Sequence, residues 1–477
     1  MASTLFIDGQ WQSSQNGELE TLNPANGEHL AHLSRGGKAD VQAAVAAARR
    51  AYVNHWADCP AAERGRILTR AAALIAQHAE DLATLECQDT GKPITQARND
   101  ITATARYFEF YGGAADKLHG ETIPYQPGTT VMVQREPFGV CALIIPWNYP
   151  AQIVGRTVGG ALAAGNTVVL KPAEQACLSV LKLTELLTEA GLPSGVLNVV
   201  TGYGAEAGAA LAATSDIDHL SFTGSPVTGT AVSVAAAAQH VPLTMELGGK
   251  SAHLVFADAN LNDAADTIVK TIVQNAGQTC SAGSRVLIEA SIENDFLEQL
   301  SQRFSQLTCG PGIKDPDCGP LINAAQKTRL EGLLAQGQAA GMQILATGHI
   351  SPTAPPGGFY APPMLINGLA ADHEVAQEEL FGPVLTAFSF QGEAQAIELA
   401  NATPYGLVNG LWTQNADRAL RLPRKLQSGQ VYVNNYGAGG GVELPFGGMK
   451  RSGYGREKGF EGLKSFTTLK TVTFKHN

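Results

Sequence analysis

Between residues 138 and 256 short, almost wholly apolar runs alternate with segments of helical length, and this alternation constrains the fold more than any other feature. Val140-Cys141-Ala142-Leu143-Ile144-Ile145 reads as a buried strand. Residues 151–164 then read as an alanine-rich helix, stopped by Gly165-Asn166. Residues 167–170 form the next strand, and a helix over residues 178–190 ends at Gly191 with Pro193 beyond it. The segments 196–200, 205–213, 219–222 and 227–238 continue the pattern. Strands separated by helices of this length predict an α/β fold with a doubly wound parallel sheet of the nucleotide-binding kind. Such sheets bind ligands at the carboxyl ends of their strands, so the residues just after each strand are the candidates for chemistry. A second alternating block runs from residue 251 past 430.

At 477 residues the chain exceeds one ordinary core, so two or three domains are expected. Only 16% of residues are charged, against roughly 25% in an average domain, so much of the chain is buried in a core or against other subunits. The net charge of -10, with no Lys/Arg run, argues against nucleic acid or an anionic membrane as partner. No signal peptide is read at the N-terminus, and no apolar stretch reaches the roughly 18 residues of a membrane span. Seven cysteines without CxxC spacing fit reduced thiols in the cytoplasm better than a disulfide framework or a metal site. The first hundred residues read as largely helical, notably 40–52 and 61–83; residues 351–363 read as a surface loop. The β-branched tail, 466–473, reads as a strand that needs a partner.

Cys280 lies between Gly277 and Gly283, in a loop where backbone could approach a ligand; the thiol is either a nucleophile or an inert structural cysteine. Glu246 ends an apolar strand before Gly248-Gly249, where desolvation would make it a usable base; alternatively it caps a helix or pairs with Lys250. Asn148 sits in a turn stiffened by Pro146 and Pro150, suited to donating to an oxyanion or to an ordinary Asx turn. Lys171 and Glu174 follow a strand and could meet ribose hydroxyls. Phe222-Thr223-Gly224-Ser225 opens a helix whose free N–H groups suit a pyrophosphate. Gly202-Tyr203-Gly204 is only a weak glycine signature, best read as a turn.

Seven segments resemble, in order and spacing, the motifs of the aldehyde dehydrogenase superfamily. They are Pro146-Trp147-Asn148, Lys171-Pro172-Ala173-Glu174, Phe222-Thr223-Gly224-Ser225, Glu246-Leu247-Gly248-Gly249-Lys250, Gly277-Gln278-Thr279-Cys280, Glu379-Leu380-Phe381-Gly382-Pro383 and Pro445-Phe446-Gly447-Gly448. The resemblance spans essentially the whole chain. It implies NAD-dependent oxidation of an aldehyde to the acid. Cys280 would attack the carbonyl, Asn148 would hold the oxyanion, and Glu246 would activate the water that hydrolyses the thioester. It further implies a dinucleotide site from Ile145, Pro146, Trp147, Lys171, Pro172, Glu174, Gly204, Phe222, Thr223, Gly224, Ser225, Leu247, Gly248, Glu379 and Phe381. The aldehyde would meet Tyr149, Arg156, Tyr436 and Phe446. A carboxylate at Glu174 would repel a 2′-phosphate, so NAD is expected over NADP.

The implied domains are a cofactor domain (1–117 and 137–247), a catalytic domain (248–446) and a bridging element (118–136 and 447–477) that joins a neighbour's sheet in a homodimer or homotetramer. Three other readings are a CoA-acylating semialdehyde dehydrogenase, a binding protein without catalysis, and a small-molecule hydrolase using a Cys–His pair, which would leave the nucleotide motifs unexplained. Arg156 and Thr157 stand where many relatives carry Trp-Lys or Arg-Lys. An Arg at this place grips the substrate carboxylate in succinate-semialdehyde dehydrogenases, but their second Arg would fall at Gln274. Arg156 is therefore expected to face a polar, aromatic or acid-bearing aldehyde, or to make a structural ion pair. Specificity is also expected near Tyr107, Phe108, Tyr111 and the run 437–441.

Overall fold

The computed structural model describes residues 2–437 and 441–477; Ala438, Gly439 and Gly440, within the run expected to influence specificity, lie outside the described residues. Val140–Ile145 occupies the middle of an eight-stranded sheet. Thr167–Pro172 and Leu197–Val199 lie on one side of it, His219–Thr223 and Leu243–Glu246 on the other, and all five strands are parallel. Every residue of Val140–Ile145 is buried because both faces are covered. Cys141, Leu143 and Ile145 enter the core under one helical layer; Val140, Ala142 and Ile144 enter the core under the other. The α/β class expected from the alternation is the one observed.

The chain first winds outward from Val140–Ile145, then returns to add His219–Thr223 on the opposite side. The connecting helices diverge at that reversal and leave a crevice at the carboxyl ends of these two strands. A second sheet holds six parallel strands in the order Met364–Asn367, Val384–Phe390, Arg285–Glu289, Ala252–Val255, Val408–Trp412, Gln430–Val433, with Gln343–Thr347 antiparallel on its edge. A third sheet pairs the tail strand Thr467–Lys475 with Thr129–Pro137 along its whole length, and Glu121–Ile123 beyond. The tail segment also sends Gly453–Tyr454 to the edge of the first sheet, beside Leu243–Glu246. Among the described residues no helix is long and apolar enough to cross a membrane.

The N-terminus departs from the helical expectation. Four strands, Leu5–Ile7, Gln10–Gln12, Glu18–Leu22 and His29–Ser34, precede the first helix, Lys38–Ala51. Asp8 and Gly9 both adopt positive φ (55° and 77°), making the two-residue turn that Asp-Gly favours between hairpin strands. The helix expected over 61–83 is two helices, Ala61–Gln77 and Ala79–Thr90, meeting at His78.

Helix Ile94–Ala114 lies against helix Pro150–Ala164. The latter offers Gly155 and Gly159 at the contact; a Cβ on Gly155 would stand 3.0 Å from that of Tyr107. Tyr107, Phe108 and Tyr111 are thus packing residues, at most 1% exposed. Beside them Lys92, fully buried, donates to Glu86 at 2.9 Å and Asp100 at 2.7 Å. Taking away the cation strands two carboxylates inside the protein, and breaking a buried ion pair from one side costs about 3–5 kcal/mol. Chemical denaturation of Lys92→Met should show a loss of that order, whereas a loss below about 1 kcal/mol would contradict this role.

Candidate active site

A cavity of about 550 Å³ opens where the carboxyl ends of the first sheet face the loops entering the second. Its walls include Pro146, Trp147, Asn148 and Tyr149 after Val140–Ile145, and Thr223, Gly224 and Ser225 at the end of His219–Thr223. Glu246, Leu247 and Gly248 follow from Leu243–Glu246, while Cys280, Glu379, Phe381 and Phe446 approach from the second sheet's side. Cys280 and Glu379 precede their strands, so the rule that chemistry follows a strand holds for the first sheet only.

The Cys280 loop is held in an unusual backbone. Asn275, Ala276 and Gly277 are consecutively left-handed, with φ of 48°, 55° and 71°. A Cβ on Gly277 would lie 2.1 Å from the Gly382 carbonyl oxygen, so only glycine allows the close approach. The strained turn is tied to the Asn148 turn. Asn275 Nδ2 donates to the Asn148 carbonyl at 2.9 Å, and Asn148 Nδ2 donates to the Gln278 carbonyl at 2.9 Å. One Asn148 N–H is thereby anchored and a second remains for the cavity. Tyr149 shares a hydrogen bond with Thr279 at 2.7 Å. Tyr436 donates to the Ser281 carbonyl at 2.7 Å and is 9% exposed; it braces the Cys280 loop from behind and is not in the cavity wall.

The electrostatics follow from burial. Burial pushes the Cys280 thiol up to about 12, with Arg156 opposing the shift. Burial also lifts Glu246 well above the usual carboxylate range, and the like charge of Glu457 adds to it. Lys250 does not pair with Glu246; its ammonium donates to the Val375 carbonyl at 3.1 Å. Arg156 forms an ion pair with Glu457 at 2.5 Å and lies 5.5 Å from the Phe446 ring centroid. Its neighbour Thr157 donates to the Ile153 carbonyl at 2.6 Å, a local helix contact.

Sequence reasoning missed Glu457 and Lys458. Pairing of Gly453 with Glu246 brings this segment over the site, and Ser221 donates to Glu457 at 2.9 Å. Lys458 is 2% exposed with its ammonium 5.6 Å from the Phe446 centroid, and burial beside Arg156 brings it down to about 8. The available signal was three charged residues, Arg456-Glu457-Lys458, set between Gly455 and Gly459.

The expected dinucleotide residues divide into two groups. In the cavity, Trp147 and Phe381 meet edge-on at 5.5 Å, and Glu379 accepts from the Gly249 N–H at 3.0 Å. A Cβ on Gly248 would collide with the Glu379 carboxylate, so this glycine admits it. Ser225 caps helix Pro226–Ala237, whose N-terminus opens on the same crevice. Lys171 and Glu174 pair at 2.9 Å one strand over, Lys171 lying beside Ile144. Ile145, Pro172 and Phe222 are buried, and Gly204 begins the helical segment 204–212 after Leu197–Val199; none of these is in the cavity wall. Carboxylates for hydroxyls, a helix N-terminus for phosphates and aromatic edges for a flat ring fit a dinucleotide.

With the thiol pushed up to about 12, the reactive thiolate should grow about tenfold per pH unit between pH 7 and 10. Iodoacetamide labelling of Cys280 in the cofactor-free protein, followed on its peptide by mass spectrometry, should rise in that proportion. A plateau near pH 8 would contradict the burial argument.

The chain matches the family model described as "Aldehyde dehydrogenase family" over residues 11–472. It is 41% identical to the NADP/NAD-dependent aldehyde dehydrogenase PuuC of Escherichia coli K12, over 98% of this chain and 94% of the relative. A solved Burkholderia cenocepacia structure assigned to the aldehyde dehydrogenases superposes with a TM-score of 0.98 at 55% identity, covering 99% of this chain and 100% of the other. An NAD+ complex of aldehyde dehydrogenase from Bacillus cereus superposes with a TM-score of 0.96 at 38% identity, covering 100% and 97%. The motifs, the two facing sheets and these likenesses place the chain in the aldehyde dehydrogenase family, as an oxidoreductase acting on aldehydes.

Proposed function

We propose that this protein oxidises an aldehyde to the carboxylic acid through an acyl group held on Cys280, with NAD as the favoured cofactor. The observation that carries this reading is the meeting of Cys280, Glu246 and Asn148 around one cavity. The Cys280 sulfur gives up its proton to solvent at the cavity mouth and bonds to the carbonyl carbon. The free N–H of Asn148 and the Cys280 backbone N–H hold the oxygen as it takes negative charge. One such donor is worth about 2.7–4 kcal/mol of barrier. Trp147, Glu379 and Phe381 would hold a nicotinamide, which would supply the acceptor for the hydride leaving the former carbonyl carbon. The acyl group stays on sulfur as a thioester. Glu246, raised by burial, takes a proton from the attacking water and so favours hydrolysis over transfer to CoA. Arg156 lowers the cost of negative charge on both Cys280 and Glu246 while paired to Glu457. Its guanidinium and the Phe446 ring favour a polar or aromatic aldehyde over a plain alkyl one.

Glu174 supports the cofactor preference. Its carboxylate is partly exposed and fixed by Lys171, where a 2′-phosphate would meet like charge. We further read the first sheet as the cofactor domain, the second as the catalytic domain, and the third as the bridge between subunits. The outer edge of Thr467–Lys475 is mostly exposed, and Leu469 and Phe474 are exposed beside it. An uncovered strand of nine residues seeks a partner. Seven free cysteines suit a reducing cytoplasmic setting.

Steady-state NADH formation with a panel of aldehydes tests the reaction. Cys280→Ser should abolish turnover, and kcat/KM should be at least about tenfold higher with NAD than with NADP. Wild-type rates in Cys280→Ser would overturn the mechanism; equal use of NADP would overturn the role of Glu174. Light scattering should give a dimer or tetramer, and a monomer would contradict the bridging role of the tail.

A further inference from the structure

Gln152 lies on helix Pro150–Ala164 one turn before Arg156 and is one of the residues lining the cavity. Its Nε2 donates to Asp100 Oδ1 at 2.7 Å. The other Asp100 oxygen, Oδ2, receives the Lys92 ammonium at 2.7 Å. Asp100 is 2% exposed and Lys92 fully buried, so this anchor is walled off from water. Burial pushes the Asp100 carboxyl up to about 6, with Lys92 opposing, which leaves it ionised at mildly alkaline pH. An ionised carboxylate can only accept. Turning the Gln152 amide over would set carbonyl against carboxylate, so the NH2 group must face Asp100 and the carbonyl must be the end left for the cavity.

A glutamine on an open wall could present either end. Here the buried ion pair chooses the acceptor. Among the described residues Gln152 Oε1 makes no hydrogen bond, and it is not sealed in the interior. The same Lys92 ammonium lies 4.5 Å from the Tyr149 ring centroid, and Tyr149 bonds Thr279, the residue before Cys280. One buried cluster therefore fixes both the acceptor and the loop that carries the nucleophile.

We propose that Gln152, locked by Asp100 and Lys92, is a specificity-determining residue that accepts a hydrogen bond from a hydroxyl group carried by the aldehyde substrate. The proposal rests on the reading of this cavity as the aldehyde site. A hydroxyl is favoured over an ammonium because the amide oxygen is a neutral acceptor, which satisfies a hydroxyl but leaves the charge of an ammonium uncompensated.

The test compares ω-hydroxyalkanals with alkanals of matched length, from 3-hydroxypropanal and butanal to 6-hydroxyhexanal and heptanal, using the NAD-loaded enzyme. The readout is the ratio of kcat/KM, hydroxylated over alkyl, for the pair that the wild type separates best. Loss of one matched hydrogen bond is worth about tenfold, so Gln152→Leu and the longer Gln152→Met should both lower that ratio by about that factor. Asp100→Asn, which frees the amide to turn over, should lower it in the same direction. An unchanged ratio in the Gln152 variants, or a wild type with no preference for the hydroxyl in any pair, would overturn the proposal alone. No NADH from either member of every pair would instead sink the reading of the cavity, and the proposal with it.

Discussion

Cys280, Glu246 and Arg156 line one poorly solvated cavity with Glu457 buried against Arg156, and the site depends on their charges being balanced there. A thiolate or a carboxylate taken out of water is costly, which is why burial lifts both Cys280 and Glu246. Arg156 is the counterweight. Its charge is also needed by Glu457, which offsets part of the positive charge it brings to the cavity. A resting thiol that is hard to ionise is protected from stray oxidants, and the same low dielectric strengthens any donor aimed at a developing oxyanion.

Geometry carries the other half. The left-handed turn at Asn275, Ala276 and Gly277 is strained, and strain of this kind persists only where surrounding contacts over-determine it. Those contacts are reciprocal. The Asn148 turn grips the Gln278 carbonyl, and Asn275 grips the Asn148 carbonyl. The Cys280 loop and the Asn148 turn come from different sheets, yet they are registered by two hydrogen bonds of 2.9 Å. The buried Lys92 cluster supports the same arrangement from below through Tyr149 and Thr279.

Much of the first sheet was legible in the sequence, because a parallel strand covered on both faces must be apolar throughout and Val140–Ile145 is. Cys280, Glu246 and Asn148 were legible from their glycine and proline surroundings together with the order of the motifs. The N-terminal strands were not, because three-residue strands such as Leu5–Ile7 carry too little periodicity; the Asp8-Gly9 turn was the usable clue. Glu457 reaches the site only because Gly453 pairs with Glu246 at the sheet edge, and no local pattern encodes a pairing between residues so far apart in sequence. Gln152 carries no local signal in the sequence, since its meaning comes from Asp100 on a neighbouring helix. Tyr436 was expected to meet the aldehyde, whereas its hydroxyl is engaged with the Ser281 carbonyl and it lies outside the cavity wall.

The central claim is that the substrate's acyl group passes through a covalent bond to Cys280 and leaves only when Glu246 activates water. Acid quench of Glu246→Gln after mixing with an aldehyde and NAD, followed by peptide mass spectrometry, addresses it directly. The account predicts a stoichiometric mass increase equal to the acyl group on the peptide holding Cys280, formed with a single burst of NADH. An unmodified Cys280 in a variant that still releases NADH, or acyl mass on another residue, would contradict it.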